Sequence, residues 1–171
     1  MKKLLFSLIL LTGMTMSAQT LIGVSYGGSE AVLSGGGISI DTPDVNAASI
    51  SIGGLSHSEE DVIGFDYGGA LGYGWKDGND AFSLGVGAGL RFYVVPEVFI
   101  RGGVGLSHSL ESKTDGISQF GISAGPSLGI RLAESVDLVG SYSWQLNNAL
   151  TDTPGASLKA RGWSVGLQFK L

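Results

Sequence analysis

Residues 162–171 read GWSVGLQFKL, and large apolar side chains alternate with small or polar ones throughout this stretch. The apolar positions are Trp163, Val165, Leu167, Phe169 and Leu171. Between them stand only Gly, Ser, Gln and Lys. Successive side chains of an extended strand point to opposite faces of the sheet. The segment therefore predicts a strand with one apolar face and one polar face.

The same alternation recurs along the chain and predicts eight strands. We expect them at about 20–27, 47–56, 62–75, 81–94, 98–107, 117–132, 136–146 and 162–171. Short connections at 57–61, 95–97 and 133–135 alternate with longer ones at 28–46, 108–116 and 147–158, although residues 36–40 could extend a strand into the first of the longer ones. Bacterial barrels have short periplasmic turns and longer outer loops, so we assign the longer connections to the outside of the membrane. The short connection at 76–80, also on that side, is the exception. Because proline removes one ladder donor, Pro126 predicts a bulge within the sixth strand.

The sizes of the side chains on the two faces distinguish a barrel from its main alternative. A helical fold is disfavoured by the 29 glycines of the chain, since glycine is costly in a helix. A soluble β-sandwich also alternates, but the polar face here is mostly Gly and Ser, too small to fill a core. Large side chains on the apolar face suit contact with lipid on the outside of a barrel. Small residues on the other face suit the lining of a narrow lumen. We predict an all-β fold, an eight-stranded antiparallel up-and-down transmembrane β-barrel.

The N-terminus has the pattern of a secretory signal peptide. Lys2 and Lys3 precede an apolar segment from Leu4 to Leu11, and Ala18 supplies a small residue for cleavage. A transmembrane anchor would need a longer apolar run. We expect residues 1–18 to be the signal peptide and residues 19–171 to form the barrel domain.

The composition narrows the possible functions. The chain has no Cys, which removes disulfides, thiol catalysis and thiolate metal sites. Its net charge is −5, and loss of Lys2 and Lys3 would make it −7, so nucleic acid is a poor partner. The glycines of residues 85–89 lack the spacing of a nucleotide fingerprint. With only two His, no metal site is expected. We predict no cofactor.

Aromatic residues fall at both ends of the predicted strands. Trp75, Trp144 and Trp163 lie beside connections assigned to the outside of the membrane, and Phe65, Phe92 and Phe169 lie at the opposite ends. Amphipathic rings favour both membrane interfaces. These six residues therefore predict two aromatic girdles, although aromatic residues also favour strands in general.

The few charges on the predicted lumen face all lie near the short turns. They are Asp66, Arg91, Arg101, Arg131, Asp137 and Lys170. An isolated charge is costly in a narrow lumen, so we expect arginine–carboxylate pairing rather than separate hydration. Such a cluster would plug the periplasmic end of the barrel.

With these residues in view, the chain resembles the small outer-membrane β-barrel family, the OmpA-like or porin-like barrel domains. The last eight residues resemble that family's C-terminal assembly signal, with Ser164, Gly166, Phe169 and Leu171 at its defining positions. The final residue is Leu where Phe is usual. The resemblance implies export to the outer membrane of a Gram-negative cell. It implies outer-membrane lipids and the barrel-assembly machinery as partners, and it says little about activity.

Three functions remain for a barrel of this kind. The first is a structural or surface-interaction role through extracellular loops, since loops on a rigid scaffold commonly bind partners. The second is a small-solute, porin-like channel, although an eight-stranded lumen is just filled by side chains. The third is an enzyme that modifies lipid A, which needs a Ser, a His and an acid in reach. His57 and His108 lack that setting and are expected in solvent at the rims, so we predict no enzyme. The loop ligand is not given by the sequence.

Overall fold

The structure, a computed structural model, describes residues 19–35, 38–57, 61–76, 79–110, 120–146 and 157–171. Eight antiparallel strands form one closed barrel, each paired with the next along the chain. The strands are β1 (Gln19–Gly35), β2 (Ile38–Ser56), β3 (Ile63–Lys76), β4 (Asn79–Val95), β5 (Val98–Ser109), β6 (Phe120–Ala133), β7 (Val136–Leu146) and β8 (Ser157–Lys170). The predicted eight-stranded up-and-down barrel is confirmed. In the described part of the chain, no helix is long and apolar enough to cross a membrane.

The seam between β1 and β8 closes the barrel. The two strands pair antiparallel from Leu21 opposite Lys170 to Ser34 opposite Ser157. This pairing matches the outward side chains of β8, such as Val165, to those of β1, such as Tyr26. β8 pairs with β7 along its other edge. Both edges of the closing strand are therefore paired with a neighbouring strand.

Large apolar side chains cover the outside of the barrel. Val104 is 65% exposed and Leu90 is 60% exposed, and most other large apolar residues of the strands are exposed as well. Only Leu21, Leu55, Tyr93 and Phe99 form a buried apolar group among the described residues. The large side chains are therefore not packed between two sheets, which eliminates the sandwich alternative. An exposed apolar surface of this extent requires an apolar environment, such as the acyl chains of a membrane.

The lumen face consists mainly of Gly and Ser. Ser25 and Ser49, paired across β1 and β2, share a hydrogen bond of 2.8 Å between their hydroxyls. At the seam, Gly166 faces inward so close to β1 that an added Cβ would collide with the carbonyl oxygen of Val24 and with Ser25. The small residues thus allow the strand backbones to approach one another in a narrow barrel.

The predicted loop at 28–46 is wrong. β1 continues to Gly35 and β2 begins at Ile38, so most of this segment forms a paired hairpin. The glycines, serines and Pro43 of the segment indicated a loop. The structure accommodates Pro43 in a register shift, since Ser29 pairs with Val45 but Ala31 pairs with Thr42. β8 likewise begins at Ser157 rather than at 162.

The predicted bulge at Pro126 is also wrong. β6 keeps one register with β7 on both sides of it, with Ala124 opposite Trp144 and Ser127 opposite Ser141. The two residues between them have no partner in this ladder, so the missing N–H of Pro126 interrupts the pairing without inserting a residue. The register shifts instead near the turn, between Arg131 and Ala133. Residues 117–119, assigned to the sixth strand, lie outside the described residues.

The short turns are where the sequence predicts them. Pro96 and Glu97 connect β4 to β5, and Glu134 and Ser135 connect β6 to β7. Both turns lie at the end of the barrel that holds the charged residues. We call this the turn end, and the other the loop end.

Candidate functional site

Six charged side chains meet inside the barrel at its turn end, one from each of six consecutive strands. They are Asp66 on β3, Arg91 on β4, Arg101 on β5, Arg131 on β6, Asp137 on β7 and Lys170 on β8. The remaining two strands contribute buried apolar residues at this level, Leu21 on β1 and Leu55 on β2. We refer to the six charged residues as the charge cluster.

Asp66 pairs with two arginines. The Nε of Arg91 donates to Oδ2 of Asp66 at 2.7 Å. The Nη2 of Arg101 donates to Oδ1 at 2.7 Å, and its Nε lies 2.9 Å from both carboxylate oxygens. Two guanidinium N–H groups from one arginine give a fork-like contact, which fixes geometry as well as charge. Arg91 and Arg101 are direct register partners, so Asp66 offsets the repulsion between them.

Asp137 forms the second centre of the charge cluster. The Nζ of Lys170 lies 2.8 Å from Oδ1 of Asp137, and the Nε of Arg131 lies 4.0 Å from the same atom. The Nη1 of Arg91 is 3.8 Å from Oδ2 of Asp137. Arg91 also donates from Nη2 to Oε1 of Gln168 at 2.6 Å. Arg91 therefore links the two carboxylates and is itself 2% exposed.

Apolar residues complete this end of the barrel. Phe99 is buried, and the Cζ of Arg91 lies 4.5 Å from the centre of its ring, a cation–π distance. Tyr93 packs beside it with 5.6 Å between ring centres. Phe99 fits because its register partner is Gly129, where an added Cβ would collide with the ring. Alternation places Phe99 inward, but only the register shows that a glycine makes room for it.

The two histidines pack on aromatic rings. The expectation of histidines in solvent at the rims is met only in part, because both are half-buried. His57 stacks on Tyr93 at 4.0 Å and His108 stacks on Phe120 at 4.3 Å between ring centres. The Nδ1 atoms of both histidines are buried without a hydrogen-bond partner in the described part of the protein. Among the described residues, neither Nδ1 atom therefore meets the orienting acid that a catalytic histidine needs.

The environment of His57 shifts its titration. His57 lies in the β2–β3 connection, outside the strands. Burial lowers the pKa of His57 below its usual value, whereas the nearby Asp61 carboxylate acts to raise it. The cations of the charge cluster, Arg131 foremost, lower the pKa further. Protonation of His57 is therefore disfavoured in the folded protein.

Aromatic residues form a connected group at the loop end. Tyr26 lies between Trp75 and Trp163, with ring centres 6.0 and 6.3 Å apart. Tyr142 and Trp144 pack edge to face at 5.1 Å. The hydroxyl of Tyr26 donates to the side chain of Asn46 at 3.0 Å. The rings face outward, as those of interfacial aromatic residues do.

Phenylalanines lie at the turn end of the outer surface. Phe65 is exposed near the start of β3, and Phe92, opposite Ile63, is exposed near the end of β4. Phe169 faces outward near the end of β8, opposite Ile22 and Val136. The six residues assigned to two girdles are thus divided between the two ends, Trp at one and Phe at the other.

The four residues of the assembly pattern lie on the closing strand or just beyond it. Ser164 and Gly166 point into the lumen, and Phe169 points outward. The backbone N–H of Leu171 donates to the carbonyl of Thr20 at 2.9 Å. The described structure thus extends the β1–β8 contact to residue 171.

A cavity of about 390 Å³ lies in the lumen on the loop side of the charge cluster. Asp66, Arg91 and Arg101 border it together with Phe99. Glycine and serine are the commonest residues in its lining, and the serines are Ser51, Ser107, Ser123, Ser127, Ser141 and Ser143. Among the described residues, serine hydroxyls therefore lie along the sides of the cavity. Asp66, Arg91 and Arg101 close it towards the turn end, and we call these three residues its floor.

Three strands continue past the aromatic group at the loop end. β1 pairs with β2 as far as Gly35 opposite Ile38, and with β8 as far as Ser34 opposite Ser157. A strand of about 9–11 residues crosses a membrane, whereas β1 has 17 residues and β2 has 19. Glu30 and Arg161, paired across β1 and β8, form an exposed ion pair of 2.5 Å. We call this projecting part, residues 29–35 of β1, 38–45 of β2 and 157–162 of β8, the β2–β1–β8 extension.

Comparisons with known proteins agree with this architecture. The family model described as "Outer membrane protein beta-barrel domain" matches residues 6–170. No curated protein sequence matches the chain. Several solved barrels share its fold at low sequence identity.

Three of the solved structures illustrate the shared fold. The attachment invasion locus protein Ail of Yersinia pestis has a TM-score of 0.55 at 15% identity, covering 91% of this chain and 100% of its own. Neisserial surface protein A has a TM-score of 0.55 at 19% identity, covering 88% and 97%. A transmembrane β-barrel from de novo design has a TM-score of 0.53 at 16% identity, covering 92% and 98%. At these identities the likeness establishes the fold alone.

Proposed function

The chain belongs to the family of outer membrane protein β-barrel domains, and from this premise we propose that it serves as a surface-interaction protein of the outer membrane with a closed lumen. The outer membrane is its location, and the exposed apolar band of the barrel is the surface that meets lipid. The binding element in this proposal is the β2–β1–β8 extension, together with the other connections at the loop end.

The β2–β1–β8 extension carries the proposal because it is ordered into strands outside the apolar band. Its described side chains include Glu30, Asp44, Lys159 and Arg161, all exposed. Charges of both signs at this position suit contact with water or with a polar partner rather than with acyl chains. A paired sheet also presents its side chains in fixed positions, which lowers the ordering cost of binding.

Site-specific photocrosslinking on intact cells tests the surface role. A photoreactive residue at Asp44, in the extension, should give crosslinks to molecules outside the cell or on its surface. The same residue at Glu134, in a turn at the opposite end, should not give those products. Identical product patterns from both positions, or none from Asp44, would contradict the proposal.

The closed lumen rests on the residues that fill the turn end. Arg91, Asp137, Phe99 and Leu55 are among the most deeply buried side chains of the described structure. An eight-stranded barrel has an interior just wide enough for side chains, and here the charge cluster and the apolar residues occupy it together. We propose that this end blocks passage, so the protein is not an open pore.

Planar-bilayer recordings test the closure. The wild-type barrel should show no steady conductance, and a variant combining Phe99→Gly with Arg91→Ser should conduct ions. The variant must first show the migration of a folded barrel on unheated gels. A steady conductance of the wild-type barrel would favour the porin-like alternative.

Export and assembly complete the proposal. We propose that residues 1–18 are removed, so that intact-mass measurement of the outer-membrane form should place its first residue at Gln19. The assembly machinery would read Ser164, Gly166, Phe169 and Leu171 on the closing strand, while lipids contact the apolar band. The proposal gives neither His57 nor His108 a catalytic role, because their Nδ1 atoms have no hydrogen-bond partner among the residues that the structure describes.

A further inference from the structure

The charge cluster carries an excess of positive charge. It contains four cationic side chains and two carboxylates, as the ion pairs show. Asp66 forms ion pairs with Arg91 and Arg101. Asp137 lies close to Lys170, Arg131 and Arg91. The residues described in the lumen thus leave two positive charges without a carboxylate of their own.

Among the described residues, the other carboxylates at this end lie outside the lumen. Asp61, Glu97 and Glu134 lie in the connections at the turn end and are exposed. Water and salt screen such exposed charges strongly, whereas buried charges are screened much less. Of the described residues that line the cavity, Asp66, Arg91 and Arg101 are the ones that carry charge. The floor of the cavity is therefore positive.

The guanidinium groups of Arg101 and Arg91 border the cavity. The side chain of Arg101 is 24% exposed, the larger exposure of the two. It lies against the wall at Gly89 and Gly103, where an added Cβ would collide with the guanidinium. The Nη1 of Arg91 is buried without a hydrogen-bond partner, and its 3.8 Å separation from Asp137 is too long for one.

Hydroxyl groups surround the same space. Ser127 is buried, borders the cavity and is the direct register partner of Arg101. Serine hydroxyls can donate hydrogen bonds, and arginine donors match the oxygens of an oxyanion in a planar fork. Donors of both kinds thus border the same cavity.

We propose that the lumen cavity binds one small oxyanion, of the phosphate, sulfate or carboxylate class, above Arg101 and Arg91. The cavity volume of about 390 Å³ is near the lower end of the range for small-ligand sites, about 300–1,000 Å³. An anion there would offset the excess positive charge, whose burial is otherwise costly. Because the turn end is filled by side chains, the anion would enter from the loop end.

An NMR titration of the folded barrel in detergent micelles tests the site. Inorganic phosphate is added at constant ionic strength while the backbone amides of Gly89 and Gly103, beside Arg101, are followed. We expect saturable shifts of these amides. In Arg101→Gln the apparent dissociation constant should rise at least about tenfold, because a charged donor pair is lost.

Matched variants separate a specific site from general charge effects. Lys76→Gln removes a cation at the end of β3, which is not among the residues that border the cavity, and should leave the phosphate titration unchanged. Arg101→Lys keeps the charge without the fork and should weaken binding less than Arg101→Gln does. If Arg101→Gln fails to give a folded barrel on unheated gels, Ser127→Ala provides the second test, with weaker binding expected.

The choice of solute identifies the ligand class. Acetate should produce shifts at the same amides, and glucose should produce none. Unsaturable shifts, equal affinity in wild type and Arg101→Gln, or equal effects of glucose and phosphate would each overturn the proposal. The measurement is made in micelles and does not depend on any partner at the cell surface, so the two proposals can fail separately.

Discussion

At the scale of single residues, the lumen is shaped by which small residue faces which large one. Phe99 lies inward opposite Gly129, and the two are register partners on β5 and β6. Alternation along one strand predicts the face on which Phe99 lies. It does not predict the partner, because that depends on how two strands align. The room for Phe99 is therefore a property of the pair.

Gly129→Ala should destabilise the barrel. The new methyl group would collide with the ring of Phe99, and overpacking of this kind costs about 1–3 kcal/mol. Urea unfolding in lipid vesicles measures the loss. Gly140→Ala is the matched control, since an added Cβ there meets nothing within 4 Å. Equal losses in the two variants would contradict the role assigned to Gly129.

Acidification should weaken the fold through His57. Its pKa is lowered in the folded protein by burial, so the unfolded chain binds the proton more readily. Above the usual histidine pKa of about 6.5 both states are neutral and no effect arises. As the pH falls below that value, the free energy of unfolding should decrease, until the folded pKa is passed.

The variant His57→Gln isolates this contribution. Unfolding curves collected from pH 8 to pH 5 should show a smaller decrease for the variant than for the wild type. The glutamine side chain cannot titrate, so the other groups of the protein provide whatever slope remains. A steeper decrease in the variant would show that His57 is easier to protonate in the folded state.

At the scale of strands, the period-two pattern predicts facing well and strand length less well. The alternating residues of β8 lie on the two faces as expected, from Trp163 outward to Lys170 inward. The β1–β2 hairpin is longer than predicted, because glycine, serine and Pro43 in residues 28–46 resemble loop composition. Pairing with neighbouring strands outweighs that local preference.

Leu167→Arg should be strongly destabilising. Leu167 faces outward on β8 between Trp163 and Phe169, and therefore lies between the two girdles. An arginine facing lipid at mid-membrane costs about 2–4 kcal/mol. Ile63→Arg, on the same outer surface at the start of β3, should cost about 0–1 kcal/mol because it lies near the interface. Reversible unfolding in vesicles compares the two, and equal costs would contradict the assigned depth.

At the scale of the whole molecule, the charge cluster joins strands that are distant in sequence. Arg91 and Gln168, whose side chains share a hydrogen bond, are 77 positions apart. The sequence predicts which residues form the charge cluster, because each of them occupies an inward-facing position of the alternating pattern near a short turn. Its pairing scheme, with Asp66 between two arginines and Asp137 beside a lysine, requires the closed barrel. Sequence patterns along single strands do not contain that information.

Asp66→Asn should destabilise the barrel far more than loss of an exposed pair does. The change leaves Arg91 and Arg101 without their shared carboxylate, and removal of one partner of a buried pair costs about 3–5 kcal/mol. Glu30→Gln breaks the exposed pair with Arg161 and should cost about 0–1 kcal/mol. The urea midpoint in vesicles reports both changes. A small effect of Asp66→Asn would mean that the cations are hydrated separately.

Only four large apolar side chains are packed inside the described barrel, and this has a consequence for the protein before it reaches its membrane. In water, burial of so small an interior would contribute little free energy to folding. The apolar side chains of the outer face would meanwhile remain exposed and could associate with those of other chains. A bilayer is thus part of the folding reaction itself. Until one is available, the nascent chain depends on being kept apart from its own copies.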